Sequence, residues 1–367
     1  MTELALKALS RVIDPELRQP ITELGMVGKL EAQKNSIRAQ IKLTIVGCPA
    51  AQSIERDVRE ALEAVYESVE LEMTTMTSEE RDALKLKLRG DKPIRHNPFV
   101  QPGNLTRVIF VGSGKGGVGK STLTANLAVA LAAQGQKVGL IDADIFGYSI
   151  PGLLSIETGP TKVDELMLPP IAFDVRVISI GFFVADNKPV AWRGPMLHRA
   201  VEQFLTDVYW GDLDFLLVDL PPGTGDVAIS LGQLLPNAQS IVVTTPQHTA
   251  ASVAERSGAI GLQTGQKILG VIENMSYLET SSGREFIFGE GGGQAVATRL
   301  AELSGQPVAL LGQLPLSASL RSEADRGLPI VISQPEDPAA QEIIRIASAL
   351  ANTPRGLAGK SLPLNVS

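Results

Sequence analysis

A glycine-rich segment of this sequence carries two lysines and several hydroxyl side chains at a spacing that suits phosphate binding. It reads Gly112-Ser-Gly-Lys-Gly-Gly-Val-Gly-Lys-Ser-Thr122, and Gly114, Gly119, Lys120 and Ser121 match the pattern G-x-x-x-x-G-K-[ST]. Glycines allow consecutive backbone N–H groups to turn inward around phosphate oxygens, and a helix starting near Lys120 adds its positive end. Lys120 then neutralises the β- and γ-phosphates, while Ser121 offers a hydroxyl to Mg²⁺. We expect the nucleotide to contact the whole segment: Gly112, Ser113, Gly114, Lys115, Gly116, Gly117, Val118, Gly119, Lys120, Ser121 and Thr122.

Lys115 is a second lysine at the start of the same segment, where a simple phosphate loop needs only one. One interpretation is a solvated loop lysine. The other is a catalytic lysine that reaches across a dimer interface to the nucleotide of the partner, as an arginine finger does. The catalytic group predicted from the sequence is therefore Lys115, Lys120 and one carboxylate, Asp144.

Three carboxylates follow apolar strands and are candidates for metal binding and water activation. Asp219 ends the run Phe215-Leu-Leu-Val-Asp219 and is expected to hold Mg²⁺, directly or through water. Asp144 is expected to orient the attacking water. Asp142 is expected to support the loop or the metal shell. Helix capping is the alternative role for either strand-end aspartate taken alone.

Cys48 is the one cysteine of the chain, and it precedes Pro49 at the start of a predicted helix. That location would lower the pKa of a thiol and favour metal or cluster chemistry. The alternative is a small buried apolar side chain. His96, His198 and His248 match no zinc-binding spacing.

The predicted elements divide the chain into a small first domain, a linker, a larger domain and a tail. Residues 1–91 read as α+β, 92–104 as a proline-rich linker, 105–352 as the larger domain and 353–367 as the tail. The larger domain alternates helices with solidly apolar strands, which predicts an α/β fold with a mostly parallel, doubly wound sheet. Ligands on such sheets bind at the carboxyl ends of the strands. The predicted strands cover residues 108–111, 138–141, 175–180, 215–218, 241–244, 268–272 and 308–311.

Composition excludes several classes of function. The 367 residues include 33 Lys+Arg and 40 Asp+Glu, a formal charge of −7, and the pI is near 5.2, so a nucleic-acid partner is not expected. No apolar run is long enough to span a membrane, and the N-terminus does not resemble a signal peptide. One cysteine excludes an internal disulfide framework. We therefore expect a cytoplasmic protein without a membrane partner.

Longer motifs show more specifically which protein family this sequence resembles. The loop with Lys115 resembles the deviant Walker A motif of the MinD/ParA class of dimerising P-loop ATPases. The segments Trp192-Arg-Gly-Pro-Met-Leu197, Asp219-Leu-Pro-Pro-Gly-Thr-Gly-Asp226, Glu273-Asn-Met-Ser-Tyr277 and Phe288-Gly-Glu-Gly-Gly-Gly293 resemble the Mrp/ApbC family of iron–sulfur cluster carrier ATPases. Asp14-Pro-Glu16, Leu24-Gly-Met-Val27 and Gly47-Cys-Pro49 resemble the small N-terminal iron–sulfur assembly domain that these proteins often carry.

This resemblance implies a P-loop NTPase that slowly hydrolyses ATP with Mg²⁺ and delivers iron–sulfur clusters to apo-proteins. It also implies a homodimer that closes around two ATP molecules, with Asn274 contacting the adenine. Within the resemblance, Cys48 becomes a possible ligand of an iron–sulfur cluster.

One departure from the family leaves a second function open. Related carriers usually have C-x-x-C shortly after the Asn-Met-Ser-Tyr segment, whereas here Tyr277-Leu-Glu-Thr-Ser-Ser-Gly-Arg-Glu-Phe286 contains no cysteine. A [4Fe–4S] cluster takes four thiolates. The alternative is therefore an ATP-dependent switch or scaffold that acts on partner proteins of cluster assembly without holding a cluster itself. A DNA-partitioning or membrane-positioning ATPase conflicts with the acidic pI.

Overall fold

The computed structural model describes residues 2–89, 97–145, 147–184, 194–223 and 225–353. Some features predicted above lie outside these residues: His96 with the first part of the linker, Trp192 and Arg193, Thr224, and the tail after Thr353. The described residues form two compact units. The first contains residues 2–89, 160–171 and 207–211, and the second contains the others.

Helices and strands alternate along much of the described chain. The strands are β1 (Val27–Ala32), β2 (Ser36–Leu43), β3 (Ser68–Thr75), β4 (Arg107–Ser113), β5 (Val138–Asp142), β6 (Thr161–Val163), β7 (Leu166–Leu168), β8 (Ile171–Ala172), β9 (Val175–Ser179), β10 (Phe215–Asp219), β11 (Gln239–Thr244), β12 (Lys267–Glu273), β13 (Leu278–Thr280), β14 (Gly283–Glu285) and β15 (Ala309–Gln313). The helices are α1 (Thr2–Leu9), α2 (Ala51–Glu63), α3 (Ser78–Arg89), α4 (Lys120–Ala133), α5 (Ile150–Leu153), α6 (Gly194–Thr206), α7 (Asp226–Leu234), α8 (His248–Gln263), α9 (Gly292–Ser304), α10 (Ala318–Asp325), α11 (Ile330–Ser333) and α12 (Pro338–Asn352).

The first unit is a three-stranded sheet with helices. Strand β2 lies in the middle, antiparallel to β1 and parallel to β3. Alternate residues of β2, from Ile37 to Leu43, are buried, as expected for a strand with one face on a core. Helix α2 contributes Ile54, Val58 and Leu62 to that core at helical spacing.

A hairpin from much later in the chain completes this core. Strands β6 and β7 pair antiparallel, and Val163, Leu166 and Leu168 are buried in the same cluster as α2 and β2. Asp164, in the turn of the hairpin, accepts a hydrogen bond from Lys85 of α3 at 2.7 Å. The hairpin therefore belongs to the first unit although it follows the phosphate loop in the sequence.

The second unit contains an eight-stranded sheet in the order β15-β12-β11-β4-β10-β5-β9-β8. All the pairs from β15 to β9 are parallel. Every strand predicted for the larger domain is present within a few residues of its expected bounds, and the predicted α/β fold with a mostly parallel sheet is confirmed.

Both faces of this sheet are covered. Ile241 and Val243 of β11 pack into a core with α4 and α12, whereas Val242 packs into another with α8 and α9. Strands β5 and β10 are buried at every residue, which explains why each has no polar side chain before its final aspartate. Among the described residues, no helix combines the length and apolarity needed to span a bilayer.

The parallel register brings the polar strand ends to one edge. Asp219 pairs with Val111 on one side and with Asp142 on the other, and Asp142 pairs with Ser179. The phosphate loop leaves β4 at the same edge, at Ser113.

Candidate functional site

The phosphate loop connects the end of β4 at Ser113 to the start of α4 at Lys120. Gly117 and Gly119 have φ of +80° and +81°, a region that side chains with a Cβ rarely adopt. Gly119 is the N-cap of α4, so the free N–H groups of the helix and its positive end point to the loop. Gly116 and Gly117 are exposed, with nothing within 4 Å of an added Cβ. The loop therefore borders an open space at these two glycines, as phosphate binding requires.

Gly114 is required for a different reason, because the loop lies against the backbone of α8. A Cβ at Gly114 would lie 2.3 Å from the backbone N of Ala254 and from the backbone C of Val253. Neighbouring hydrogen bonds fix the same part of the loop: Ser113 Oγ donates to the Lys115 carbonyl at 3.1 Å, and Gly223 N donates to the Ser113 carbonyl at 2.8 Å.

A buried ion pair lies under the loop. Lys120, only 6% exposed, places its Nζ 2.7 Å from Oδ2 of Asp219. Ser121 Oγ donates to the same oxygen at 2.6 Å, and Thr124 Oγ1 donates to the other at 2.9 Å. Burial raises the pKa of Asp219, and the Lys120 ammonium opposes that rise. A carboxylate beside a serine hydroxyl at the loop suits Mg²⁺, which prefers oxygen ligands. The sequence did not single out Thr124.

Asp142 accepts several hydrogen bonds. Its Oδ2 accepts from the backbone N of Ser149 and Ile150, both at 3.2 Å, and from Ser179 Oγ at 3.0 Å. Its Oδ1 accepts from the backbone N of Asp144 at 3.2 Å. Burial, followed by the charge of Asp219, raises the pKa of Asp142 to about 7. These contacts anchor the segment that follows β5. The expected role of Asp142 in metal binding stays a prediction.

Asp144 begins that segment and is 8% exposed. Its Oδ1 accepts from Gly147 N at 3.0 Å, which holds the carboxylate within its own turn. Its role in orienting water stays a prediction.

The two lysines of the loop have different partners. Lys120 lies inward on Asp219, whereas Lys115 Nζ donates to Gln247 Oε1 at 2.9 Å. Gln247 is the N-cap of α8, and no motif in the sequence marks it as a functional residue. Lys115 is partly exposed, whereas Lys120 is buried.

Asn274 connects the loop to the end of β12. Its Nδ2 donates to the Val118 carbonyl at 2.9 Å, and its Oδ1 accepts from Met275 N at 2.9 Å. A Cβ at Gly119 would lie 2.3 Å from Asn274 Nδ2, so this glycine also permits the contact. The predicted contact with adenine stays a prediction.

Glu273, next to Asn274, was missed by the sequence analysis. It is buried, its Oε2 accepts from Gly293 N at 2.5 Å, and its Oε1 accepts from Gln313 Nε2 at 2.7 Å. The Gly-rich run before α9 therefore meets a carboxylate at the first turn of that helix. Glu273 could have been identified from the sequence as a carboxylate at the end of an apolar strand.

Cys48 lies in the first unit, and its predicted pKa shift was wrong. The thiol is 6% exposed, and its Sγ donates to Glu16 Oε2 at 3.8 Å. Burial and then the Glu16 carboxylate raise the pKa of Cys48 to about 11. Glu16 Oε1 in turn accepts from Thr161 Oγ1 of the β6–β7 hairpin at 2.5 Å. The described residues contain no group of three or more His, Cys, Asp or Glu side chains arranged to hold a metal ion.

The segment without the C-x-x-C pair forms the hairpin β13–β14. The Arg284 guanidinium lies 4.0 Å from the centre of the Tyr277 ring, and the rings of Tyr277 and Phe286 meet edge to face at 6.4 Å. Side-chain packing thus orders the segment between Tyr277 and Phe286, which contains no cysteine.

Family models match both parts of the chain. Residues 104–351 match the NUBPL iron-transfer P-loop NTPase model, and residues 3–73 match the iron–sulfur cluster assembly protein model.

Full-length relatives and one solved structure agree with these matches. The iron–sulfur cluster carrier protein of Mycobacterium leprae is 53% identical over 364 residues, which cover 98% of this chain and 95% of that protein. The carrier protein of Bacillus subtilis is 40% identical, with coverage of 84% and 86%. The nucleotide-binding protein of Archaeoglobus fulgidus, solved in complex with ADP, is 36% identical with a TM-score of 0.51, over 61% of this chain and 87% of the other.

Proposed function

Because this chain belongs to the family of iron–sulfur cluster carrier proteins with an iron-transfer P-loop NTPase, we propose that it hydrolyses ATP with Mg²⁺ as a homodimer and delivers iron–sulfur clusters to apo-proteins. The observation that carries the ATPase part is the arrangement of Lys120, Ser121 and Asp219 beneath an open glycine loop.

Each part of the loop has a distinct task in this proposal. The N–H groups from Gly116 to Lys120 bind the phosphate oxygens together with the Lys120 ammonium. Ser121 and Asp219 hold Mg²⁺, which supplies positive charge to the phosphates when it is bound. Lys120 has three N–H donors, and the contacts to Asp219 and Ser121 leave one for a phosphate oxygen.

Asp144 orients the attacking water, and Asp142 positions Asp144. The support for this division is that Asp142 accepts four hydrogen bonds, one of them from the backbone N of Asp144. Asp144 itself accepts one described hydrogen bond, from Gly147, and so keeps acceptor capacity for water.

Lys115 acts on the nucleotide of the partner subunit. The support is that its side chain is partly exposed and contacts Gln247, whereas Lys120 forms the buried pair with Asp219 of its own chain. A cation supplied in trans at a phosphoryl-transfer site is worth roughly 10³–10⁵ in rate. Turnover is then slow without a dimer.

Cluster delivery rests on the family and on the first unit, which matches an iron–sulfur cluster assembly model. Cys48 is the one thiol available per chain. A second candidate function, a nucleotide-dependent switch that holds no cluster, is favoured by the absence of cysteine between Tyr277 and Phe286.

Anaerobic reconstitution with iron and sulfide separates these two functions. Wild type and Cys48→Ala are compared by iron and sulfide content and by visible absorbance, with equal melting temperatures as the control for folding. A stoichiometric cluster that Cys48→Ala loses supports the carrier function with its ligand in the first unit. No cluster in either protein, with ATP hydrolysis intact, supports the switch.

A further inference from the structure

The contact between Lys115 and Gln247 joins the phosphate loop to the start of α8. Lys115 Nζ lies 2.9 Å from Gln247 Oε1. Strands β4 and β11 are neighbours, with Ser113 opposite Val243, so the residues that follow each strand end leave the sheet side by side. The contact is thus a consequence of the sheet order, which brings two segments distant in sequence together.

The backbone of Gln247 is fixed independently of its side chain. Its carbonyl accepts from Ala250 N at 2.9 Å and from Ala251 N at 3.1 Å, the first turn of α8. Its side chain makes no capping hydrogen bond to the helix. The amide is therefore available to Lys115 rather than used to stabilise α8.

The loop at Lys115 is held on the same helix. Gly114 lies directly on the α8 backbone at Val253 and Ala254, and Ser113 Oγ holds the Lys115 carbonyl. With the main chain held at Gly114 and at the Lys115 carbonyl, the rotamers of the lysine are the main remaining freedom. Ordering a lysine side chain costs conformational entropy, which a partner for the ammonium helps to offset.

We propose that Gln247 is a positioning residue that holds the Lys115 ammonium ready for the nucleotide of the partner subunit. This inference rests on the proposed role of Lys115 in trans. A neutral amide oxygen orients the ammonium without neutralising it, so the full positive charge stays available to phosphate. The length of the glutamine side chain also matters for this contact. Asparagine is one methylene shorter, so its amide oxygen would end farther from Lys115.

Three substitutions at this position separate a positioning role from a structural one. Asparagine is among the best N-cap residues, so Gln247→Asn keeps or improves the start of α8 but loses the reach to Lys115. Gln247→Glu keeps the reach and an acceptor oxygen. Gln247→Ala loses both. Gln263→Ala, at the exposed last residue of α8, is the matched control.

The test measures steady-state ATP hydrolysis, ATP affinity and melting temperature for these variants and for Lys115→Ala. We expect Gln247→Ala and Gln247→Asn to lower the hydrolysis rate about tenfold, since a small misplacement of a catalytic group can cost up to 10²-fold. ATP affinity should change less than about twofold, because the substitution leaves in place the N–H groups from Gly116 to Lys120 that bind the phosphates of the chain's own nucleotide. Gln247→Glu should also lower the hydrolysis rate, because its carboxylate keeps the contact but neutralises the Lys115 ammonium.

A second measurement reports on the contact itself. The protein is acetylated with a small activated ester, and mass spectrometry measures the labelling of Lys115. The labelling of Lys137, which is exposed, serves as the reference. Loss of the Gln247 contact should raise the labelling of Lys115 relative to Lys137. Unchanged labelling in Gln247→Ala would overturn the proposal, as would wild-type hydrolysis in Gln247→Asn. Failure of the ATPase proposal is distinct, since wild type itself would then not hydrolyse ATP, or Lys115→Ala would hydrolyse it normally.

Discussion

Lys120 and Asp219 form a buried ion pair that joins the first residue of α4 to the last residue of β10, with Nζ and Oδ2 2.7 Å apart. The pair connects nucleotide binding to stability, because the same ammonium that serves a phosphate also compensates a fully buried carboxylate. Breaking a buried pair by removing one partner leaves an uncompensated charge, which costs more than the pair contributes.

Lys120→Ala should therefore abolish ATP binding and lower the free energy of unfolding by about 3–5 kcal/mol. Urea unfolding followed by circular dichroism measures the second effect. Adding Asp219→Asn to Lys120→Ala should recover much of the loss, since the buried charge is then gone. Lys137→Ala is the control, because Lys137 pairs with Asp212 on the surface, with 60% and 92% exposed side chains, and such pairs contribute about 0–1 kcal/mol. Equal stability of Lys120→Ala and Lys137→Ala would contradict this account.

Asp144→Asn should keep nucleotide binding and slow turnover by about 10²-fold or more, the usual contribution of a positioned carboxylate to proton transfer. The reason is that the amide retains the hydrogen bond from Gly147 but no longer accepts a proton from water. Single-turnover hydrolysis with preloaded ATP measures the step directly. Asp212→Asn, at an exposed site, is the matched control. Loss of ATP binding instead would move Asp144 into the metal shell.

Two glycines of the loop, one on each side of Lys115, should differ sharply in their tolerance of alanine. Gly114→Ala places a methyl group 2.3 Å from α8 backbone atoms, and overpacking of this kind typically costs about 1–3 kcal/mol. Gly116→Ala meets nothing within 4 Å, so its stability should stay within about 0.5 kcal/mol of wild type. Melting temperatures of the two variants decide the matter. Equal melting temperatures would show that α8 yields to the added methyl group.

Alkylation of Cys48 should report its high pKa. The folded thiol has a pKa of about 11 against an ordinary 9.0, so at pH 9 it should react far more slowly with iodoacetamide than the thiol of urea-unfolded protein. Because the folded state holds this proton more tightly, stability is full below pH 9 and falls as the pH rises from 9 to 11. Glu16→Gln removes a nearby negative charge and should lower the pH at which the alkylation rate of Cys48 is half-maximal. If the alkylation rate of folded wild type were half-maximal at pH 9 or below, the structure would be contradicted.

The phosphate loop and the parallel strands were predictable because their signals are local. A run such as Phe215-Leu-Leu-Val-Asp219 fixes both a buried strand and the residue at its end. The glycine spacing likewise describes the backbone of one short segment. Seven strands of the sheet and the start of α4 follow from such patterns.

Contacts that depend on sheet order were not predictable from one sequence. Gln247 meets Lys115 and Glu273 meets Gly293 because of which strands and helices lie side by side. The predicted pKa shift of Cys48 failed for the same reason. Its neighbour Glu16 lies 32 positions away, and Thr161, which holds Glu16, lies 145 positions from Glu16. The position of Cys48 at the start of a helix favoured a lowered pKa. In the structure, burial and the Glu16 carboxylate raise it instead.

Mixing two inactive variants tests the central claim, that Lys115 completes the site of the partner subunit. Lys115→Ala should bind ATP without hydrolysing it, and Asp144→Asn should be nearly inactive for its own reason. In a mixed dimer, the Lys115→Ala chain keeps its Asp144 and receives Lys115 from its partner, which makes one complete site. With random exchange, half of the dimers are mixed, so an equimolar mixture should recover about one quarter of wild-type hydrolysis. No recovery, in a mixture shown to contain mixed dimers, or wild-type activity of Lys115→Ala alone, would contradict the account.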